Sequence, residues 1–246
     1  VFTMPQFFFM FYSAFSGQTV YDDWYITFYN MVFTALPLMI RAVFEKDIPL
    51  PRDTNPSMKR HENMREFMEK FPLTYEVGRE NQIFTKINFA CWMLVGVFHS
   101  VLVFFIPLYS ADEGVLNGDG ETHNLWTFSI TSFSCVILVV NLKLVFHTKL
   151  WNYFYLISIV FLSVILYFAF LPIYDGMTST EAHGTFPVLV SSSYFYFNML
   201  LSVVFLLLFD GGYRLCMMNL KPTQSEVLTR ILQDKADSNY KTRVKE

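Results

Sequence analysis

The sequence has few charged residues for its length. Asp, Glu, Lys and Arg make up 16% of its 246 residues, whereas a soluble globular domain carries roughly 25%. The net charge of −3 is too small to indicate a nucleic acid or a strongly acidic partner. Hydrophobic residues reach 53% of the chain, and 28 residues are Phe. This balance favours a membrane protein over a soluble domain.

Cysteine and catalytic motifs are also scarce. Cys91, Cys135 and Cys216 form no CxxC pair, and no group of Cys and His residues has the spacing of metal ligands. The sequence therefore predicts no disulfide and no metal site. It contains no Walker motif, no phosphorylation motif and no Ser/His/Asp set. We therefore predict that this chain has no catalytic residue and cannot use ATP by itself.

Acidic residues are missing from the centres of the apolar stretches, and Asp210 lies near the end of the last one. Cation pumps and transporters commonly place such carboxylates inside the membrane as ligands or proton sites. The apolar part of this chain therefore suits a neutral, zwitterionic or amphiphilic substrate better than a bare cation.

Six stretches are candidates for transmembrane helices, each of which takes about 20 apolar residues. The first counts only if its helix begins before Val1, which we expect because the chain starts without Met and inside apolar sequence. The sequence thus predicts an all-α polytopic membrane protein with six transmembrane helices. The stretches are residues 1–16, 25–44, 84–107, 125–146, 152–172 and 192–213.

With six spans, all 18 basic residues fall on or close to one membrane surface. The loops on the other surface contain only acidic charges. Because basic residues near span ends stay in the cytosol, we expect both ends of this chain to be cytosolic. The predicted division is two spans with a short exoplasmic turn (1–44), a cytosolic loop (45–83), a four-helix membrane segment (84–213) and a cytosolic tail (214–246).

Polar residues cluster where the first stretch ends. Ser13, Ser16 and Gln18 are polar, and Gly17 permits a tight turn. One interpretation is an ordinary close turn between two helices. The other is the end of a polar path near the outer leaflet.

A second polar group lies in the next stretch. Asn30, Thr34 and Pro37 are spaced i, i+4 and i+7, which predicts one shared helix face. Pro37 has no N–H group, so a backbone carbonyl one turn earlier, near Phe33, loses its partner. Transporters expose such interrupted helices to their substrates. Asn and Thr also join helices by ordinary hydrogen bonds, and spacing alone leaves both interpretations open.

Other polar residues are scattered through the later stretches. A lone residue of this kind is more often a packing or hydrogen-bonding contact between helices than part of a path. We therefore interpret this set as interhelical contacts: Asn88, His99, Thr131, Ser134, Asn141, Asn198 and Ser202.

Several segments together resemble one family. The segments Phe15–Gln18 (FSGQ), Tyr21–Trp24 (YDDW) and Tyr29–Pro37 (YNMVFTALP) are similar to the fifth-to-sixth helix region of type IV P-type ATPases, the phospholipid flippases. Residues 44–47 (FEKD) resemble the family's exit from the sixth helix. Residues 71–78 (FPLTYEVG) and 98–100 (FHS) resemble its seventh-helix region.

The resemblance implies that the spans are the fifth to tenth helices of a ten-helix pump. The implied activity is ATP-driven movement of phospholipid from the exoplasmic to the cytosolic leaflet. ATP and Mg²⁺ would bind outside this chain, in the remainder of the pump. A glycosylated two-span β-subunit is the implied partner, and the plasma membrane or an endomembrane is the implied location.

The resemblance also assigns residues. Ser13 stands where phosphatidylserine-selective members often have Asn, which weakens the case for strict phosphatidylserine selectivity. Asn30 matches an Asn of the family's sixth helix that is associated with the transport path, and the family's fifth-helix Lys would precede Val1. The predicted substrate path consists of Ser13, Phe15, Gln18, Asn30, Thr34 and Pro37.

Two alternatives remain open from the sequence. One is a flippase-like half that regulates a second catalytic domain, such as a guanylyl cyclase, in a bifunctional protein. The other is an unrelated secondary transporter or a structural membrane module. The length of the intact gene product would discriminate the bifunctional protein, and the lack of a phosphorylation sequence before Val1 would favour the unrelated transporter or module.

Overall fold

The computed structural model describes residues 1–45, 84–111, 120–149, 151–177 and 182–220, together with Glu69, Pro72, Arg79, Leu116, Glu226, Val227 and Arg230. The regular elements of these residues are helices, so the predicted all-α class is confirmed. Most of the predicted 45–83 loop and of the 214–246 tail lies outside the described residues.

The helices include three π-helical segments, in which each N–H bonds five residues back and one extra residue enters the turn. In chain order the elements are α1 (Thr3–Tyr12), α2 (Asp23–Phe28), π1 (Tyr29–Phe33), α3 (Ala35–Phe44), α4 (Lys86–Ser110), α5 (Leu125–His147), α6 (Tyr153–Ile157), π2 (Ser158–Ile165), α7 (Leu166–Asp175), α8 (Thr185–Ser191), α9 (Ser193–Leu206), π3 (Leu207–Gly211) and α10 (Gly212–Leu220).

Within the described residues, five continuous helical segments are long and apolar enough to cross a membrane. We number them after the predicted stretches: span 2 (Asp23–Phe44), span 3 (Lys86–Ser110), span 4 (Leu125–His147), span 5 (Tyr153–Asp175) and span 6 (Ser193–Leu220). The first stretch forms α1, which has only 10 residues. The count of six therefore stays a prediction.

The predicted start of each of these five spans lies within two residues of the observed start, and the helix of span 6 runs beyond its predicted apolar stretch. Span 6 continues to Leu220, whereas the sequence predicted that the tail begins at Arg214. Gly212 keeps helical angles, with φ −61° and ψ −46°, so the paired glycines do not break the helix. Polar residues after Asp210 mark the end of the apolar surface and not the end of the helix.

Local capping explains where three spans begin. The first N–H groups of a helix have no partner inside the helix, and Asp, Asn and Ser side chains satisfy them. The Asp22 carboxylate accepts from the Trp24 N–H at 2.9 Å, and the Ser192 hydroxyl accepts from the Tyr194 N–H at 3.1 Å. Asn124 and Thr127 form a reciprocal capping box before span 4.

Span 4 lies at the centre of the packed helices. Its buried residues run from Thr127 to Asn141 and occupy all sides of the helix. The ring of Phe133 is 5.2 Å from that of Tyr21 and 5.6 Å from that of Tyr167. Large side chains exposed on the other spans are mostly apolar, as lipid contact requires. Span 4 is thus the helix against which the neighbouring spans are fixed.

The chain divides into two compact units, one formed by residues 1–45 and 94–212 and the other by residues 46–93 and 213–246. The first unit contains all the predicted path residues. In the second, Thr85 precedes α4 and its hydroxyl accepts from the Asn88 N–H at 3.2 Å. In the same unit Arg230 donates to the Met218 carbonyl, also at 3.2 Å.

Candidate functional site

The first group of predicted path residues lies in a left-handed turn after α1. Ala14 and Phe15 have φ angles of +51° and +59°, and Gly17 has +82°. Such angles cost a residue with a Cβ atom roughly 1–2 kcal/mol, whereas glycine adopts them freely. Because the Phe15 N–H donates to the Met10 carbonyl at 2.9 Å, the turn closes the end of α1. Strained residues of this kind cluster at functional sites.

The side chains of this turn differ in exposure. Ser13 is half-buried, and its hydroxyl donates to the Met10 carbonyl at 3.3 Å. Phe15 is exposed, and its ring is 5.4 Å from that of Phe11. Gln18 is exposed, and its amide donates to the Thr19 carbonyl at 3.2 Å. The turn therefore presents one aromatic ring and one amide outward.

The second group lies on and directly after the π-helical segment of span 2. Asn30 is exposed, and its amide donates to the Ile26 carbonyl at 3.4 Å, which is close to the limit of a hydrogen bond. Thr34 is half-buried, and its hydroxyl and its N–H donate to the Tyr29 carbonyl at 2.7 and 3.2 Å. The Thr34 hydroxyl is therefore used within span 2, while the Asn30 amide is weakly held.

Pro37 and Asn30 lie in different surroundings. Pro37 is buried, whereas Asn30 is exposed. The extra residue of π1 turns the following helix by about 100° relative to a regular α-helix. The shared face that the spacing predicted assumes an uninterrupted α-helix, so it does not describe this segment.

The carbonyl that Pro37 leaves without a backbone partner belongs to Phe33, as the sequence predicted. In the structure it accepts a hydrogen bond from the Ser163 hydroxyl at 2.6 Å. Ser163 lies on span 5 and is fully buried. Its oxygen accepts from the Asn141 amide of span 4 at 2.7 Å, and that amide also donates to the Ile137 carbonyl at 2.8 Å. Three spans are joined at this point.

The end of α3 is held by a second polar group. The Arg41 guanidinium pairs with Glu45 and donates to the His147 carbonyl at 2.8 Å. The Glu45 carboxylate accepts from the Lys149 N–H at 3.0 Å. Burial by itself raises the pKa of Glu45. The hydrogen bonds from Arg41 and from the Lys149 N–H, together with the positive charges of these two residues, outweigh burial, so the pKa of Glu45 is lowered overall. We name these four residues the α3 clamp.

Sequence reasoning missed one charged cluster inside the spans. The Asp210 carboxylate is 3.3 Å from His99 Nε2 and 3.3 Å from Lys143 Nζ, and its side chain is only 10% exposed. The expectation that acidic residues avoid the span interior is therefore wrong at Asp210. The signal that could have found the cluster is a His, a Lys and an Asp in three apolar stretches at similar depth.

The expected interhelical contacts are present for several polar residues. The Ser134 and Tyr167 hydroxyls are 2.7 Å apart, and Ser110 donates to the Asn198 amide oxygen at 2.9 Å. The Ser134 pair and the bond from Asn141 to Ser163 join span 4 to span 5, and the Ser110 pair joins span 3 to span 6. They confirm the interpretation of Ser134, Asn141 and Asn198.

A family model described as phospholipid-translocating P-type ATPase C-terminal matches residues 1–223. The chain belongs to this family. Phospholipid-transporting ATPase ID of Homo sapiens is 28% identical over 98% of this chain and 19% of its own length. The Mus musculus protein of that name is 32% identical over 69% and 13%. Phospholipid-transporting ATPase DRS2 of Saccharomyces cerevisiae is 28% identical over 84% and 14%.

The chain thus spans about a fifth or less of the length of these curated relatives. The family match confirms the resemblance that the FSGQ and YNMVFTALP segments indicated. The apolar helices and the membrane ATPase relatives together make the chain part of an integral membrane protein.

Proposed function

We propose that this chain is the fifth-to-tenth-helix part of an ATP-driven flippase that moves phospholipid from the exoplasmic to the cytosolic leaflet. The observation that carries the proposal is the family match over residues 1–223. The relatives named above are phospholipid-transporting ATPases. They support this function over a secondary transporter or a regulatory half of a cyclase.

The path runs beside the turn after α1 and along the exposed side of π1. A headgroup that leaves water must exchange its hydration for protein partners, because unpaired polar groups are costly in lipid. Gln18 and Asn30 offer exposed amides for this exchange. The long 3.4 Å bond from Asn30 to Ile26 can be given up for a headgroup oxygen. The acyl tails stay in the bilayer throughout.

The remaining path residues shape this surface. The Thr34 hydroxyl and the ring of Pro37 fix the irregular backbone that exposes Asn30, since both act at the end of π1. Phe15 supplies an exposed ring beside the turn. Ser13 is a shorter polar group than Asn, so we propose a path that is not strictly selective for phosphatidylserine.

In this proposal the free energy that drives transport comes from parts of the pump outside this chain. ATP and Mg²⁺ bind in the remainder of the pump, which comprises helices one to four and the cytosolic domains. A glycosylated two-span β-subunit accompanies it. Both ends of the chain are cytosolic, and the pump lies in the plasma membrane or an endomembrane.

Replacing Asn30 by Leu tests the path directly. We expect lipid-stimulated dephosphorylation of the full-length pump to fall about tenfold or more, because a hydrogen bond to a charged headgroup is worth about 1.5–3 kcal/mol. Phosphorylation by ATP remains, since that site lies elsewhere. The measurement is phosphoenzyme decay against lipid concentration, with Ser13→Asn as a second variant that shifts preference toward phosphatidylserine.

Met31→Leu is the matched control, because Met31 is exposed on the same π-helical turn and Leu conserves its volume. Equal lipid-stimulated decay rates in Asn30→Leu, Met31→Leu and the native pump would remove Asn30 from the path. A native pump whose turnover responds to no phospholipid would contradict the proposed function itself.

A further inference from the structure

Of the three prolines inside the described spans, Pro37 and Pro107 each free a backbone carbonyl that accepts a hydrogen bond from a serine of another span. In span 2, Pro37 frees the carbonyl of Phe33, which accepts from Ser163 at 2.6 Å. In span 3, Pro107 frees the carbonyl of Val103, which accepts from Ser132 at 3.3 Å. Lipid supplies no donor for such a group, so a protein donor is needed.

Each serine also accepts a hydrogen bond from a further side chain. Because the Ser163 proton points to Phe33, its oxygen accepts from the Asn141 amide at 2.7 Å. By the same reasoning Ser132 accepts from the Tyr21 hydroxyl at 3.1 Å. We name each such chain of hydrogen bonds a relay. In the relay from Asn141 through Ser163 to Phe33, the Asn141 NH₂ group must face both Ser163 and the Ile137 carbonyl, which fixes the orientation of the amide.

The two relays hold different kinds of helix. Val103 lies within the continuous α-helix α4, whereas Phe33 is the last residue of π1. Asn30 lies on the same π-helical turn, three residues earlier, and faces outward. Phe33 itself is buried and packs its ring 5.4 Å from that of Tyr167. The bond from Ser163 therefore acts where the irregular backbone meets the packed helices.

We infer that Ser163 and Asn141 are positioning residues for lipid transport. They hold the Phe33 carbonyl, and with it the turn that presents Asn30, against spans 4 and 5. This inference rests on the proposed function, since it concerns how the path residue is kept in place. Without the Ser163 hydroxyl, the freed carbonyl needs another donor, and the π-helical turn must shift to find one.

A double-mutant cycle between Ser163 and Pro37 tests the relay in the full-length pump, reconstituted with its partner subunit. In the native background, Ser163→Ala raises the apparent KM for lipid about tenfold, the ratio that 1.4 kcal/mol gives at 25 °C. In the Pro37→Ala background the residue at position 37 has an N–H that can bond the Phe33 carbonyl. There, we expect Ser163→Ala to change the KM less than about twofold.

The matched controls are Ser158→Ala and Ser132→Ala. Ser158 is buried on the same π-helix as Ser163, but it donates to the Tyr155 carbonyl of its own span at 2.8 Å. Ser132 bonds the carbonyl that Pro107 frees in span 3, and not the carbonyl of π1. We expect both control variants to keep the native KM for lipid and the native level of phosphoenzyme formed from ATP.

The inference would be overturned if Ser163→Ala changed the KM equally in both backgrounds. It would also be overturned if the KM of Ser163→Ala equalled that of Ser158→Ala. If Ser163→Ala alone does not fold, recovery of the folded pump in the Ser163→Ala/Pro37→Ala double variant supports the relay, and failure of that double variant contradicts it. A native pump without lipid-stimulated turnover would instead refute the proposed function. In that case the same double-mutant cycle, measured by thermal unfolding, still tests the hydrogen bond between Ser163 and Phe33.

Discussion

At the scale of residues, the least expected feature is the charged cluster between spans 3, 4 and 6. Asp210 lies within 3.3 Å of both His99 and Lys143. A carboxylate shielded from water needs such partners, because an unpaired buried charge is strongly destabilising. The cluster also fixes the depth of span 6, since π3 places Asp210 beside the other two groups.

We expect Asp210→Leu to lower the free energy of unfolding by about 3 kcal/mol, because it leaves Lys143 and His99 without their acidic partner. The double variant Asp210→Leu/Lys143→Met recovers part of this loss, since position 143 then no longer carries a charge that needs an acidic partner. The measurement is thermal unfolding of the purified full-length protein. Asp23→Asn, at an exposed position, serves as the control. A double variant less stable than Asp210→Leu would contradict the pairing.

At the scale of elements, span 2 is held at two places and is irregular between them. The Ser163 relay holds the end of π1, and the α3 clamp ties Arg41 and Glu45 to the turn after span 4. Thr34, at the junction of π1 and α3, has a φ of −119°, far from the −63° typical of an α-helix. The exposed turn of π1 lies directly before these two fixed places, so its C-terminal end is held while Asn30 stays exposed.

The clamp gives a pH prediction. The pKa of Glu45 is lowered in the folded protein, so its stabilising contribution is complete above the ordinary value of 4.5 and is lost as the pH falls below that value. At pH 7 we therefore expect Glu45→Gln to lower the free energy of unfolding by about 1 kcal/mol. The variant then unfolds at a lower temperature than the native protein. The two melting temperatures converge in acid. A difference that is constant with pH would rule out this role for the carboxylate.

At the scale of the whole molecule, the one-sided charge distribution predicts the orientation of the chain. The predicted six-span topology places residue 149 on the basic side and residue 19 on the side without basic residues. In cells that carry the pump in the plasma membrane, we expect an impermeant maleimide to label Thr19→Cys and to reach Lys149→Cys only after permeabilisation. The background replaces the exposed Cys91 and Cys216 by Ser and keeps Cys135, which is buried. The reverse labelling pattern would contradict the cytosolic placement of both ends.

The sequence alone determined the helical class, the positions of spans 2 to 6 and the family. Runs of about 20 apolar residues can satisfy their backbone in lipid only as helices. The capping residues Asp22, Asn124 and Ser192 lie directly before the observed spans. Pro37 also identified the freed carbonyl of Phe33, because a missing N–H group is a local property.

Only the tertiary structure decided which group bonds the Phe33 carbonyl and which charged side chains lie beside Asp210. Ser163 is 130 residues from Phe33 in the chain, and helical periodicity carries no information about the partner of a buried hydroxyl. The π-helical turn that separates Asn30 from Pro37 likewise depends on packing against spans 4 and 5. Local sequence fixes which residues need partners, whereas the packing of the helices selects the partners.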